Sequence, residues 1–196
     1  MAQPFEENRE LARQIVKAFG GEPSVREYFD DERSATIDIL TCTDALQKGV
    51  NAYATLALSD AEIFDAEGNK LPFGIEIIAA CEGGAAAFVN AISTCAFNIL
   101  KDKMPIYPGA VFPRVLELYR GLSETLSHAL FVDPFLWDDR FVSRKTESKT
   151  VAFLQMVPIS DDELDYLRAN GASALEEEFE RKQIDVFDIN RKSVFA

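Results

Sequence analysis

Residues 151–194 read VAFLQMVPISDDELDYLRANGASALEEEFERKQIDVFDINRKSV, and their pattern decides the class of fold. Residues 151–157 are apolar on both parities, with Val151, Phe153 and Val157 on one and Ala152, Leu154 and Met156 on the other. A short run with two apolar faces suits a strand buried in the middle of a sheet. Pro158 offers no N–H to a ladder, so the strand is expected to end there. Ser160 with Glu163, and Ser173 with Glu176, have the capping-box spacing, in which the hydroxyl accepts from the N3 amide and the carboxylate reaches back to the cap. Asn170-Gly171 divides the two predicted helices, since both residues tolerate positive φ. Glu177 with Arg181 and Glu178 with Lys182 are i,i+4 pairs in the favourable order. Leu164, Leu167, Leu175 and Phe179 supply the inward stripes, and a short alternating strand is expected to follow before the basic end.

This block is also where charge concentrates. The chain carries a net charge of −13 over 196 residues. Residues 160–190 hold ten acids against three bases, more than half of that total. Phosphate repulsion disfavours nucleic acid and anionic membrane surfaces as direct partners. The electrostatic complement is a protein with a basic surface. A solvated face that promotes solubility is the plainer alternative.

Upstream, residues 5–19 read as an amphipathic helix with Leu11, Ile15, Ala18 and Phe19 on one face, stopped by Gly20-Gly21, and Pro23 is expected to break the chain. Residues 34–42, 52–58 and 74–81 read as strands, and Glu67-Gly68-Asn69 as a turn. Residues 83–100 contain no charge, but Asn90, Ser93, Thr94 and Asn98 interrupt them, so a buried helix over 85–100 is a better reading than a membrane span. Phe88, Ile92, Cys95 and Ile99 mark its apolar face. Residues 104–113, with Pro105, Pro108, Gly109 and Pro113, form a stiff connector suited to a rim loop. Residues 114–127 are ambiguous: Val115, Leu118, Leu122 and Leu126 fit a helical face, against Gly121. Residues 130–132 read as a short strand and 138–150 as an exposed loop. The sum is one α/β sandwich domain with a mixed sheet and helices packed on it, preceded by an N-terminal helix over residues 1–22 that packs on the domain proper, 23–196.

Reactive chemistry is sparse. The sole histidine, His128, lies in an apolar strand-like setting without a nucleophile elbow, and no phosphate-binding glycine loop is present. Cys42, Cys81 and Cys95 are widely spaced in apolar stretches and read as buried thiols in a reducing compartment. The Asp161-Asp162-Glu163 and Glu176-Glu177-Glu178 clusters fan around their helices and cannot each close on one ion. No cofactor or metal is expected. The N-terminus has no apolar signal region, so a cytoplasmic protein is expected.

The terminal block closely resembles the end of the bacterial suppressor-of-fused-like family. The matching elements are Pro158-Ile159-Ser160 at a helix start, Gly171 in the helix break, and Asp188-Ile189-Asn190-Arg191-Lys192-Ser193 at the end, so Pro158, Ser160, Glu163, Gly171, Asp188 and Arg191 form the structural motif. Looser matches precede them in family order: Thr55-Leu56-Ala57-Leu58-Ser59, Gly74-Ile75-Glu76-Ile77, Pro108-Gly109 and His128 to Pro134. The resemblance implies a mixed α/β sandwich that binds proteins. Animal relatives restrain a transcription factor, and many bacterial members resemble antitoxins of secreted toxins. It therefore implies a non-catalytic immunity-type protein that masks a toxin. A general regulatory module holding an extended peptide, and a carboxylate-dependent hydrolase, are the alternatives. The candidate partner-binding residues are Asp161, Asp162, Glu176, Glu177, Glu178, Glu180, Trp137 and Tyr107, with Trp137 expected to be partly exposed beside Asp138 and Asp139. Arg191 is expected to pair with Asp188 or Asp185.

Overall fold

The computed structural model describes residues 4–196. Helix α1 (Pro4–Phe19) leads into β1 (Glu22–Phe29), β2 (Thr36–Thr43), β3 (Val50–Leu56) and β4 (Gly74–Glu82). Then come α2 (Phe88–Asp102), β5 (Val111–Phe112), β6 (His128–Val132), β7 (Arg144–Lys145), β8 (Thr150–Ile159), α3 (Asp161–Asn170) and α4 (Ala172–Lys182). The eight strands form one mixed sheet in the order β1-β2-β3-β4-β8-β6-β5, with β7 pairing β8 to the side. The β4–β8 pair is parallel and the other pairs are antiparallel.

β8 is the interior strand that its two apolar parities demand. Ala152, Leu154 and Met156 face the side covered by α2, where Phe88, Ile92, Cys95 and Ile99 point inward as their spacing requires. Val151 and Phe153 face α1, with Leu11, Ile15 and Phe19. Further along that same face, Val157 and Ile159 meet Leu164 of α3 and Leu175 and Phe179 of α4. Helices therefore cover both faces of the sheet. The strand runs one residue past Pro158, which pairs with Ala129 of β6. Pro158 is tolerated because β4 pairs only with residues 151–155. Its carbonyl turns to Arg191 instead of a strand, and within a strand the missing N–H points the same way as that carbonyl.

Three expectations are corrected, and the open reading of residues 114–127 is resolved. Pro23 does not break the chain, because it is the second residue of β1, a strand on the sheet's edge where a proline does no harm. Over 114–127 only Leu116–Leu118 is helical, as one 3₁₀ turn, and Leu118 points outward while Val115, Leu122 and Leu126 are buried. The end after α4 is an irregular tail and not a strand, with Gln183 turning it at φ 49°. Within 138–150 a short 3₁₀ segment, Asp138–Phe141, and β7 interrupt the loop, and Phe141 is buried. Among the described residues no helix is long and apolar enough to cross a membrane.

Candidate partner-binding surface

The motif residues converge where β8 ends and α3 begins. Ser160 caps α3: its Oγ accepts from the Glu163 amide at 3.3 Å, and Glu163 Oε2 accepts from the Ser160 amide at 3.0 Å. Glu163 is fully buried and also receives both arms of Arg191, Nη1 to Oε1 at 2.6 Å and Nη2 to Oε2 at 3.0 Å. The Val194 amide donates to Oε1 at 3.0 Å, and Arg191 donates to the Pro158 carbonyl at 3.0 Å. Arg191 thus pairs with Glu163 and not with Asp188 or Asp185. Those two carboxylates close local turns, accepting from the Asn190 amide at 2.8 Å and the Phe187 amide at 2.9 Å. A fully buried carboxylate aimed at the tail outcompetes more accessible ones that already close turns.

Gly171, at φ 91°, serves both helices: its amide closes α3 on the Leu167 carbonyl at 2.7 Å, and it stands at the cap of α4. The predicted Ser173–Glu176 capping box does not form, because α4 already starts at Ala172 and Ser173 lies inside the first turn. Arg181 takes Glu178 one turn back instead of Glu177.

The candidate acids differ in how free they are. Asp161 accepts from His128 Nε2 at 2.9 Å. The Arg114 amide donates to His128 Nδ1 at 2.9 Å, so the imidazole proton sits on Nε2 and the buried ring works as a spacer between the turn at Arg114 and the start of α3. Glu178 is half-buried and paired with Arg181. Asp162, Glu177 and Glu180 stand exposed with no ion-pair partner among the described residues. Partial burial, with the nearby Asp133 carboxylate, pushes the Glu176 carboxyl above its ordinary value. The rim turn abuts this helix: a side chain at Gly109 would lie 3.1 Å from Ala172 Cβ, and half-exposed Tyr107 opens that turn. Phe135, two residues after Asp133, is 50% exposed. The structure therefore brings Tyr107 to the start of the acidic α4.

Trp137 is a different case. It is 0% exposed, packed between Phe19 and Phe141 with ring centroids 5.0 and 5.2 Å away. Its neighbours Asp138 and Asp139 start the 3₁₀ turn, which swings the carboxylates out and the indole under α1. Trp137 is core, and it leaves the list of surface candidates.

Sequence reading passed over a second polar cluster. Glu76 lies in β4 with no exposure, accepting from Thr55 Oγ1 at 2.6 Å, the Ser59 amide at 3.1 Å and Ser59 Oγ at 2.7 Å. Burial pushes its carboxyl up to about 7 despite these donors. Lys149 continues the chain of contacts, donating to Ser59 Oγ at 2.8 Å, to Asn8 of α1 at 3.0 Å and to Asp60. Gly74 permits the arrangement, since a Cβ there would sit 2.2 Å from the Ser59 carbonyl. One signal was visible: a lone acid inside the apolar run of residues 74–81. Burial also raises the thiol pKa of Cys42 to about 11 and of Cys81 to about 12, which keeps both protonated. Among the described residues, no three His, Cys, Asp or Glu side chains converge on a metal position.

Residues 33–192 match the family described as Suppressor of fused protein (SUFU). Immunity protein YqcF of Bacillus subtilis (strain 168) is 41% identical over 189 residues, covering 96% of this chain and 97% of that protein. The crystal structure of a SUFU homolog from Neisseria gonorrhoeae superposes with a TM-score of 0.65 at 15% identity, covering 97% of each chain. A chain in the crystal structure of a Sufu–Fu complex superposes with a TM-score of 0.66 at 14% identity, covering 95% of this chain and 91% of that one. At those identities the structural likeness concerns the fold.

Proposed function

Because the chain belongs to the suppressor of fused family, we propose that it is a non-catalytic immunity protein that binds a toxin and masks it. The observation that carries this reading is the near-full-length 41% identity to a protein named for immunity. The engagement of the reactive groups supports it too. His128 spaces the Arg114 turn from the start of α3, Glu163 locks the tail, and Glu76 is sealed in the sheet. The exposed acids of α3 and α4, with Tyr107 and Phe135 alongside, suit a partner with a basic surface. The compartment of this reading is the cytoplasm, in keeping with three unbridged, buried cysteines.

The test is co-expression with the toxin-like product of the adjacent reading frame. Growth should be restored and the two proteins should co-elute as one complex. Arrested growth together with separate elution overturns the proposal.

A further inference from the structure

β1 ends the strand order, and among the described residues no strand neighbours it on its outer edge. It pairs with β2 over its whole length, from Glu22↔Thr43 to Phe29↔Thr36, in unbroken register. Seven of its eight residues are exposed. Natural sheets blunt such edges by shortening them, bulging them, covering them or placing prolines and charges in them, and here Glu22, Arg26 and Glu27 supply the charges. Here the edge is long and regular, and its one proline, Pro23, is near its start.

The side chains on this edge are specific. Directly paired residues share a face, so Val25 stands with Leu40, Glu27 with Asp38, and Phe29 with Thr36. Val25 and Phe29, at 52% and 46% exposure, flank Glu27 on that face. Glu27 sits directly across from Asp38, a like-charge pair that weakens the sheet. Among the described residues neither carboxylate has an ion-pair partner.

We propose that the β1 edge is a docking strand for an extended segment of a protein partner, which adds as one more strand. The added segment places a lysine or arginine opposite Glu27 and apolar side chains opposite Val25 and Phe29. Its pattern is apolar–x–basic–x–apolar. Main-chain pairing along the edge supplies affinity, and the alternate side chains set register and choice of partner. The basic residue relieves the Glu27–Asp38 repulsion. A second copy of this chain is the wrong occupant, because at a net −13 each copy repels the other. The strand lies outside the family-matched residues 33–192 and at the opposite end of the strand order from β6 and β5. This site is therefore separate from the acidic helices, and it does not depend on the partner being a toxin.

The test uses the full chain and two synthetic peptides, TVTKTVT and TVTETVT, followed by amide NMR and hydrogen exchange. The lysine peptide should shift and protect amides of residues 22–29 and bind about tenfold or more tighter than the glutamate peptide, a difference of about 1.4 kcal/mol. Glu27→Lys, an exposed change checked by a melting temperature no lower than wild type, should invert that preference. Equal affinity for both peptides, shifts confined to other strands, or an unchanged preference in Glu27→Lys overturns the inference. Growth protection is scored separately. A chain that protects cells but ignores both peptides keeps the immunity function and loses the β1 site, and the converse result does the opposite.

Discussion

Glu76 shows how one residue ties local chemistry to stability. It is an acid on a central strand, and three donors hold it in a place where water cannot follow. Its folded pKa of about 7 stands above the ordinary carboxyl value of 4.5. Between those values the folded chain holds a proton that the unfolded chain has released. Stability conferred by the raised pKa is therefore full below about 4.5 and declines as pH rises towards 7. The Glu76 contribution to this decline is about 3 kcal/mol. Urea unfolding measured from pH 5 to pH 7.5 should show the fall in wild type and a flatter profile in Glu76→Gln. An identical slope in the two proteins would mean that Glu76 does not titrate in this range. Because Ser59 links Glu76 to Lys149, and Lys149 reaches Asn8, the same residue bears on how α1 is held.

At the level of elements, the joint between β8, α3 and the tail depends on one ion pair. Arg191 is 7% exposed and Glu163 not at all, and their fork, with the Val194 amide, supplies the buried polar link between the tail and α3, beside the stacked rings of Tyr166 and Phe195. Breaking a buried pair leaves the remaining charge uncompensated. Arg191→Ala should therefore cost about 3–5 kcal/mol in chemical denaturation. Arg191→Lys keeps the charge but not the two-pronged geometry and should recover only part of that loss. An Arg191→Ala protein with wild-type stability and impaired toxin binding would move this residue from the frame to the interface. The joint has a functional side as well, because it sets the angle at which α3 and α4 present their acids.

Across the whole molecule, the −13 charge is unevenly placed, with more than half of it in residues 160–190, where Asp162, Glu176, Glu177 and Glu180 stand exposed on α3 and α4. Reversing Asp162, Glu176, Glu177 and Glu180 to Lys should slow association with the toxin sharply, since exposed charges act mainly on encounter. Glu178 is left out of this set because it already holds Arg181. Raising salt should weaken the wild-type complex as well, given a screening length of about 8 Å at physiological ionic strength. The fold should survive with little change, because solvated surface charges matter by tenths of a kcal/mol, about 0.2–1 per pair. Stopped-flow association across a salt series gives the answer. A reversed protein that associates at the wild-type rate would leave these helices as a solubility surface.

Much of this molecule follows from its order of residues alone. The two apolar parities of 151–157 require an interior strand, the Phe88–Ile99 spacing requires a buried helix face, and Ser160 with Glu163 specifies a helix start. These are short-range patterns whose outcome depends on neighbours a few positions apart. Only the tertiary structure decided the rest. β1 carries no apolar alternation because it is an exposed edge, and it becomes a strand through pairing with β2. Trp137 is buried because α1, more than a hundred residues earlier in the chain, covers it. Arg191 chooses Glu163 over Asp188 because burial strengthens one carboxylate's claim while solvent weakens the other's. For Trp137 and Arg191 the deciding partner is distant in sequence, and for β1 it is the neighbouring strand, but in each case local pattern carries no record of what the fold will bring alongside.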